Sequence, residues 1–158
     1  LEGTRPLLVE IQSLVAPTPY VPPRRTSDSI DIKKIQLLLA VLEKRVHLNM
    51  GTCDVYVKVA GGIKIDDPAV DLALCCAMAS SFRNQSIKPQ TIIFGEVGLS
   101  GEVRSVSQPD IRVREAIRMG FTNIILPAKN LERLEHFASN VQIHGVRYLS
   151  EALKIALN

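Results

Sequence analysis

The sequence predicts an α/β (α+β) fold in which helices pack against a mixed sheet as a sandwich. Strand-like and helix-like segments alternate along most of its 158 residues, which favours packed layers of the two. A glycine-bounded hairpin signal, Gly98-Leu99-Ser100-Gly101, interrupts the alternation and argues against a uniformly parallel, doubly wound sheet. The length suits one domain, so residues 1–158 are expected to form a single one.

The first part of the chain predicts a strand, a loop and a helix. Residues 6–15 begin with Pro6 and alternate apolar with polar side chains, as a strand does. Four prolines fall within residues 16–23, which predicts a mobile, irregular loop that extends through Arg24 and Arg25. Residues 31–47 place apolar side chains at helical spacing behind a cap at Ser29 or Asp31.

The central part predicts a strand, a buried helix and a hairpin. Residues 54–59 alternate as a strand does. Asp66, Asp67 and Pro68 form a helix start, and the helix that they open is apolar almost all round up to about Phe82. Such a helix is expected between layers rather than on a surface. Residues 91–106 contain two β runs around the glycine-bounded turn.

The last part predicts three helices and two strands. A helix at residues 109–119 ends before Gly120 and leads to a strand at residues 122–126. A helix at residues 131–137 and a strand at residues 141–146 come next. Ser150 is the predicted cap of a final helix at residues 150–157.

Missing motifs exclude several kinds of site from this chain. No P-loop and no dinucleotide-binding fingerprint occur, so no nucleotide cofactor is expected here. The cysteines Cys53, Cys75 and Cys76 contain no Cys-x-x-Cys pair, and the three histidines are scattered. We therefore expect no metal site in the chain.

Cysteine usage, hydropathy and charge bound the compartment and the partners. An odd number of unpaired cysteines argues for a reducing compartment, and no signal peptide or apolar run of about 18 residues is present. We expect a soluble cytoplasmic protein of bacterial type with no membrane partner, or an organellar one if the source is a plant. The net charge of +3 permits nucleic-acid binding without arguing strongly for it.

Two segments carry a family resemblance. Residues 61–73 and residues 95–104, followed by the helix of residues 109–119, resemble in their order the proteolytic domain of Lon-type Ser/Lys peptidases. The residues that keep the Lon pattern are Asp66, Pro68, Gly95, Glu96 and Gly101. The resemblance implies a Lon proteolytic-domain-like fold.

The same resemblance places both catalytic positions on residues without the required chemistry. The serine position falls on Ala69 and the lysine position on Arg112, while Asp67 and Asp71 stand where the peptidases have glycines. A Ser–Lys dyad needs a hydroxyl nucleophile and a neutral amine. Ala69 has no hydroxyl, and the guanidinium of Arg112 stays protonated. We therefore predict a degenerate peptidase site with no catalytic residue.

Further segments resemble the RadA (Sms) family of DNA recombination and repair proteins. They are residues 2–12, residues 40–45, residues 67–73 and the hairpin with Arg104. The resemblance extends over essentially the whole chain, and the loss of both dyad members is a feature of this family. The resemblance implies that the chain is the Lon-like domain of a longer protein, whose zinc motif and RecA-like ATPase core lie outside it.

For function, the resemblance implies a non-proteolytic scaffold and DNA-contacting domain. RadA-type proteins form hexameric rings that act as DNA-dependent ATPases and branch-migration motors in homologous recombination. The implied partners are DNA (single-stranded, duplex or branched), further copies of the chain and, functionally, a RecA-type recombinase. ATP, magnesium and zinc are implied for the full-length protein and not for this chain.

Basic residues supply the candidates for DNA contact, because lysine and arginine bind phosphates without reading bases. They lie in the proline-rich loop, on the first helix and around the degenerate site. The candidates are Arg24, Arg25, Lys33, Lys34, Lys64, Arg104, Arg112, Arg114 and Arg118. Because aromatic residues make up only 4% of the chain, base stacking is not expected as the main mode of binding.

Four alternatives stay open at this point. The basic residues can be solvated faces or subunit salt bridges, and Arg112 can pair with Asp71 or Glu115 where the dyad once was. The chain as a whole can be a purely oligomerising module or an active Lon-type Ser/Lys peptidase. Binding of duplex DNA across a salt series separates a DNA-contacting domain from a purely oligomerising one.

Overall fold

Eight strands and five helices make up the part of the chain that the computed structural model describes, residues 5–134 and 140–158. The strands are β1 (Ile11–Pro17), β2 (Arg25–Asp28), β3 (Cys53–Val59), β4 (Thr91–Ile93), β5 (Glu96–Val97), β6 (Val103–Arg104), β7 (Asn123–Pro127) and β8 (Gln142–Val146). The helices are α1 (Ile32–Val46), α2 (Asp71–Arg83), α3 (Pro109–Arg118), α4 (Ala128–Leu131) and α5 (Leu149–Ala156). Strands of both directions layered with helices confirm the predicted fold class.

The first sheet has the order β1-β3-β2 and borders the larger core. β1 runs antiparallel to β3 and β2 runs parallel to it. The alternation of β3 buries Val55, Val57 and Val59 against apolar side chains of α1 and α2. Helix α2 is buried along most of its length, as its apolar sequence predicted.

Strand β2 corrects the prediction that the loop extends through Arg25. Arg25–Asp28 pairs with β3 in register from Arg25 opposite Val55. The guanidinium of Arg25 donates a hydrogen bond to the carbonyl oxygen of Met50 at 3.0 Å and another to that of Cys53. The last proline is Pro23, so every amide of β2 is available to the ladder. The irregular loop is limited to residues 18–24.

Strand β1 also differs from its prediction, since it covers Ile11–Pro17 rather than residues 6–15. It ends on Pro17, which lies opposite Cys53. A proline is tolerated there because it stands at the end of an edge strand, where its missing amide costs little.

The second sheet is parallel, with the order β4-β7-β8. β5 and β6 form a separate antiparallel hairpin around the predicted turn. The predicted β segment of residues 91–106 is therefore divided between two sheets. At Gly101 the φ angle is +77°, and a Cβ there would lie 3.1 Å from the Cβ of Arg45. The turn therefore needs glycine both for its backbone angle and for the close approach of α1.

Apolar clusters cover both faces of the second sheet. On one face Ile124 and Leu126 pack with Val113 and Ala116 of α3. On the other, Ile125 belongs to the larger core together with the buried face of α5. Burial on both faces explains why β7 is an uninterrupted apolar run.

The predicted helix starts were correct in two cases. Asp31 caps α1, because its carboxylate accepts a hydrogen bond from the amide of Lys33 at 2.9 Å. Asp67 caps a single 3₁₀ turn at Pro68–Val70, and α2 itself begins only at Asp71. A short 3₁₀ entry is common at helix N-termini.

Two predictions near the end of the chain were wrong in position. Helix α4 covers Ala128–Leu131 rather than residues 131–137, of which residues 135–137 lie outside the described part. Helix α5 begins at Leu149 behind Tyr148, and no side chain caps it, so Ser150 lies inside the first turn. The apolar spacing of Leu149 and Leu153 against the core determines where α5 begins.

The three cysteines are buried parts of the larger core. Burial raises the pKa of the Cys76 thiol to about 12. Burial also raises the pKa of Cys75, and the neighbouring groups Cys76 and Asp71 raise it further. Both residues therefore serve as small apolar side chains, as their position in an apolar run predicted.

Candidate functional site

The two segments that resemble the peptidase motif meet through backbone hydrogen bonds. The amide of Gly95 donates to the carbonyl oxygen of Ala69 at 2.8 Å, and the amide of Leu72 donates to that of Gly95 at 3.0 Å. A Cβ at Gly95 would lie 3.0 Å from Cγ1 of Val103, so a side chain there would require its neighbours in the strand, turn and hairpin to shift. The turn before α2 is thus fixed against the second sheet.

An ion pair stands beside Ala69. Nη2 of Arg112 lies 3.1 Å from Oδ2 of Asp67, and their side chains are 12% and 25% exposed. Nε of Arg112 donates to the carbonyl oxygen of Ser107 at 2.9 Å, and its Cζ lies 5.8 Å from the ring centre of Phe94. Arg112 is therefore held by a carboxylate, a carbonyl and an aromatic ring.

The partner of Arg112 corrects the prediction of Asp71 or Glu115. Both of those carboxylates have other partners, because Asp71 pairs with Lys34 and Glu115 with Arg118. Asp67 is placed to receive the guanidinium because its other oxygen, Oδ1, accepts the amide of Ala69 at 2.9 Å. This second hydrogen bond fixes the carboxylate at the start of the turn.

Opposing effects act on the pKa of Asp67. Burial alone would raise it, but the amide hydrogen bond of Ala69 and the positive charge and hydrogen bond of Arg112 are among the contacts that lower it. The pKa falls from 3.8 to about 2. The carboxylate is consequently ionised at neutral pH, and it cannot act there as a general base with a proton affinity near 7.

A groove of about 720 Å³ runs past this ion pair. Its walls are mainly apolar and come from residues 6–9, residues 63–70, β4 and α3. Among its described lining residues, Ser107 carries the only side-chain hydroxyl and Lys64 the only amine.

A second, more buried ion pair connects three elements at the back of this site. Nζ of Lys34 on α1 lies 2.6 Å from Oδ1 of Asp71 at the start of α2, with side-chain exposures of 24% and 6%. Oδ2 of Asp71 accepts the amide of Val97 on β5 at 3.2 Å. Lys34 was a candidate for DNA contact, but its ammonium group is held inside the fold by this carboxylate.

Sequence reasoning missed Asn130, which positions the segment leading into α3. This side chain is buried, accepts the amide of Val106 at 2.8 Å and donates to its carbonyl oxygen at 3.1 Å. The side-chain amide of Asn130 thus pairs with the backbone of Val106 as a neighbouring strand would. This contact lies next to the Ser107 carbonyl, which accepts a hydrogen bond from Arg112. An asparagine directly after an apolar strand is the only signal, and it is too common to have been recognised.

The remaining basic candidates differ in what their side chains contact. Arg118 forms an exposed ion pair with Glu115 at 2.5 Å, and Cζ of Arg24 lies 4.5 Å from the ring centre of Tyr20. Arg118 lies on α3 and Arg24 lies in the loop between β1 and β2, so these two candidates are on separate elements. Lys64 and Arg112 both line the groove. The candidates with exposed side chains are Arg24, Lys33, Lys64, Arg104, Arg114 and Arg118.

The fold and the motif geometry define a class of protein. Residues 32–158 match the family model of the Lon protease (S16) C-terminal proteolytic domain. The chain therefore belongs to this family, and the predicted resemblance is confirmed.

Curated relatives place it more narrowly. The chain is 47% identical over 157 residues to the DNA repair protein RadA of Halalkalibacterium halodurans and 48% identical over 157 residues to that of Bacillus subtilis. Each match covers 99% of this chain and 34% of the relative. RadA of Synechocystis is 48% identical over 126 residues, 80% of this chain and 25% of its own length. The chain thus spans about a third of these relatives and corresponds to their carboxy-terminal, Lon-like part.

Neither a membrane-spanning helix nor a metal-ligand cluster occurs in the described residues. No helix there has the length and apolar character that crossing a membrane requires. No three His, Cys, Asp or Glu side chains in residues 5–134 and 140–158 group as metal ligands. The buried cysteines, spread over β3 and α2, do not fit the zinc site that the wider RadA resemblance implies.

Proposed function

We propose that this chain is a non-proteolytic Lon-like domain that contacts DNA within a DNA repair protein. The observation that supports the first half is the Arg112–Asp67 ion pair beside Ala69. The Lon resemblance implies that a Ser–Lys dyad would stand at Ala69 and Arg112. Its nucleophile is absent, and its basic residue is a guanidinium paired with a carboxylate. The names of the relatives, DNA repair protein RadA, support the second half.

Restoring the serine alone is expected to leave the chain inactive as a peptidase. In Ala69→Ser the hydroxyl gains no base, because Arg112 stays protonated and bound to Asp67. The measurement is turnover of a fluorogenic unfolded protein substrate by the wild-type chain, Ala69→Ser and Ala69→Ser with Arg112→Lys. Turnover by the wild-type chain that disappears in Ser107→Ala would show instead that the groove hydroxyl is a nucleophile.

DNA contact is proposed to occur through exposed basic side chains rather than through the degenerate site. Arg24 and Lys33 are the most suitable to test, because their side chains are exposed. Arg25, Lys34 and Arg112 are unsuitable, since each holds carbonyl or carboxylate groups of the fold. Their replacement would disturb the structure as well as any DNA contact.

The test is the affinity of the chain for duplex DNA, measured by fluorescence anisotropy across a salt series. If three phosphates are contacted, raising the salt about fourfold is expected to weaken binding roughly 40-fold. Arg24→Glu and Lys33→Glu should each weaken binding and reduce the salt slope by about one unit. Lys154→Glu, an exposed change on α5, is the matched control.

A purely oligomerising domain predicts the opposite result. Binding would then be absent or independent of salt, and Arg24→Glu and Lys33→Glu would not differ from Lys154→Glu. Light scattering of the same samples would report self-association directly.

Further parts of the proposal concern the longer protein. We infer that the chain helps to assemble a hexameric ring and that this ring acts in the cytoplasm as a DNA-dependent ATPase motor of branch migration, together with a RecA-type recombinase. ATP, magnesium and zinc would bind outside this chain. This inference is supported by the match of the chain to about a third of the length of each of these two RadA relatives.

A further inference from the structure

The first sheet, β1-β3-β2, has one face that points away from the core. Helices α1 and α2 pack on the face that carries Val55 and Val57. On the opposite face, called here the open face, β1 exposes Gln12 and Leu14, and Leu14 is 58% exposed. A single exposed apolar side chain is ordinary on a protein surface, so the neighbours of Leu14 decide whether this face has a partner.

The strand register arranges the open face in rows that run across the three strands. Tyr56 of β3 lies opposite Leu14 of β1 on one side and opposite Thr26 of β2 on the other. Residues that lie directly opposite each other project to the same side of a sheet. Leu14, Tyr56 and Thr26 therefore form a central row without charge.

Two charged rows flank the central row, each at a distance of about 7 Å. The Lys58 row contains Gln12, Lys58 and Asp28, which the register places opposite one another. The Asp54 row contains Ala16 and Asp54, which are opposite each other, and Arg24, whose amide donates to Oδ1 of Asp54 at 2.7 Å. Each charged row thus has one cation and one carboxylate, and the order of the two signs is reversed between the rows.

Asp54 is a nearly buried carboxylate that no cation of the described residues pairs with. Its exposed fraction is 9%, and the amide of Arg24 is its hydrogen-bond donor. The guanidinium of Arg24 stacks instead on Tyr20, with Cζ 4.5 Å from the ring centre. Lys58 is four residues away on the same strand, about 13 Å, which is too far for an ion pair. A carboxylate this far from water is stabilised by a cation, which another molecule can supply.

We propose that the open face binds the same face of a second copy of the chain about a two-fold axis that runs along the central row. Such an axis reverses the strand direction, so the Lys58 row of one copy lies over the Asp54 row of the other. Lys58 then meets Asp54 and Asp28 meets Arg24, each contact occurring twice by symmetry. Every residue of the central row lies over its own equivalent.

The charges distinguish this axis from the other one that two stacked sheets allow. An axis along the strands would place Lys58 over Lys58 and Asp54 over Asp54, and like charges in contact oppose association. Glu10, which accepts a hydrogen bond from Gln12 on the open face, would lie near the neutral Thr18 under the proposed axis. The charges of the face therefore fit a second copy in one of the two arrangements.

The inference is independent of the proposed DNA contact. With Glu10, the open face presents three carboxylates and two cations in the described residues, a balance that does not suit a polyanion. Arg24 belongs to both proposals, and the variants that test this one leave it unchanged. In the proposed ring, neighbours would meet through two different surfaces, so a two-fold contact would join copies from separate rings.

The test traps the contact with a disulfide, because a residue on a two-fold axis meets itself. Stacked sheets are about 10 Å apart, so two Leu14→Cys side chains that project towards each other come within disulfide reach. The native cysteines are buried, which leaves the introduced thiol as the reactive one. Three short strands form a small interface, so the isolated chain is studied at about 0.1–1 mM.

Leu14→Cys is expected to form a covalent dimer on oxidation roughly tenfold faster than Leu37→Cys at the same concentration, because association raises the effective concentration of the thiol. Leu37, a 50% exposed apolar residue of α1, makes the second variant the matched control. Adding Lys58→Asp to Leu14→Cys places a carboxylate over Asp54 and should return the rate to that of the control. Lys154→Asp, an exposed change on α5, should leave the rate unchanged.

Three results would overturn the inference. Equal rates for Leu14→Cys and Leu37→Cys would show that the open face does not meet itself. A fast rate that Lys58→Asp leaves unchanged would exclude the pairing of the two charged rows. Dimers formed by Leu14→Cys with Thr26→Cys, but not by Leu14→Cys alone, would assign the axis to the strand direction. The salt series with duplex DNA tests the DNA contact separately.

Discussion

Replacing Lys34 with methionine is expected to lower the free energy of unfolding by about 3 kcal/mol, the lower end of the range for breaking a buried ion pair. Methionine keeps the length of the side chain but leaves the carboxylate of Asp71 without its cation. That carboxylate is 6% exposed, and within the described residues it keeps only the amide hydrogen bond of Val97. The value lies at the lower end because Lys34 itself is 24% exposed.

The matched control is Lys33→Met, one position earlier on the same helix turn. Lys33 is exposed, so its replacement should leave the unfolding midpoint nearly unchanged. Urea unfolding followed by circular dichroism is the suitable measurement, because the chain has no tryptophan. Equal stabilities of the two variants would contradict a structural role for Lys34 and return it to the candidates for DNA contact.

Replacing Arg112 with methionine is expected to lower the free energy of unfolding by about 2 kcal/mol at neutral pH, within the range for a hydrogen bond to a charged group. The variant removes one contact of Asp67 and the donor to the Ser107 carbonyl. Lysine is not an equivalent replacement, because it lacks the planar fork that reaches both groups. A double-mutant cycle with Asp67→Ala separates the pair from the capping contact to Ala69.

The loss in Arg112→Met should depend on pH. The pKa of Asp67 is lower in the folded chain than its ordinary 3.8, so its ionised form stabilises the fold fully above that value. That stabilisation disappears as the pH falls through the folded pKa of about 2. The difference between wild type and Arg112→Met should therefore shrink over this acid range.

Arg118→Met on the same helix is the control for this prediction. Arg118 pairs with Glu115 at the surface, where ion pairs contribute little to stability. Its replacement should leave the unfolding midpoint unchanged at neutral pH. A loss in Arg112→Met that stays constant from neutral pH down to pH 2 would contradict the contribution of the Asp67 carboxylate.

Local patterns predicted most of the fold correctly. The alternation of β3, the helical spacing of α1 with its Asp31 cap and the glycine-bounded hairpin all appear in the structure. Each depends on residues close together in the chain. Strand β2 was missed because its four residues carry no apolar alternation, and its pairing with β3 comes from a distant part of the sequence.

The candidate site was likewise predicted only in part, because some of its features depend on residues far apart in the chain. The prediction of a degenerate site at Ala69 and Arg112 could be made from the sequence, because it concerns only which chemical groups are present. The partner of Arg112 was predicted wrongly as Asp71 or Glu115, since that choice depends on which carboxylates other cations already hold. Likewise, the sequence supplied lysine and arginine candidates for DNA contact but did not show that Lys34 and Arg25 are engaged inside the fold.

The sequence by itself determined the fold class and the family, and it predicted a degenerate peptidase site at Ala69 and Arg112. These properties follow from side-chain chemistry and short-range periodicity, which a chain carries without folding. Only the tertiary structure decided that Asp67 holds Arg112, that Asp71 holds Lys34 and that the side chains of Tyr20 and Val21 are exposed. The physical reason is that ion pairing and exposure depend on distances between residues far apart in the chain, which packing fixes.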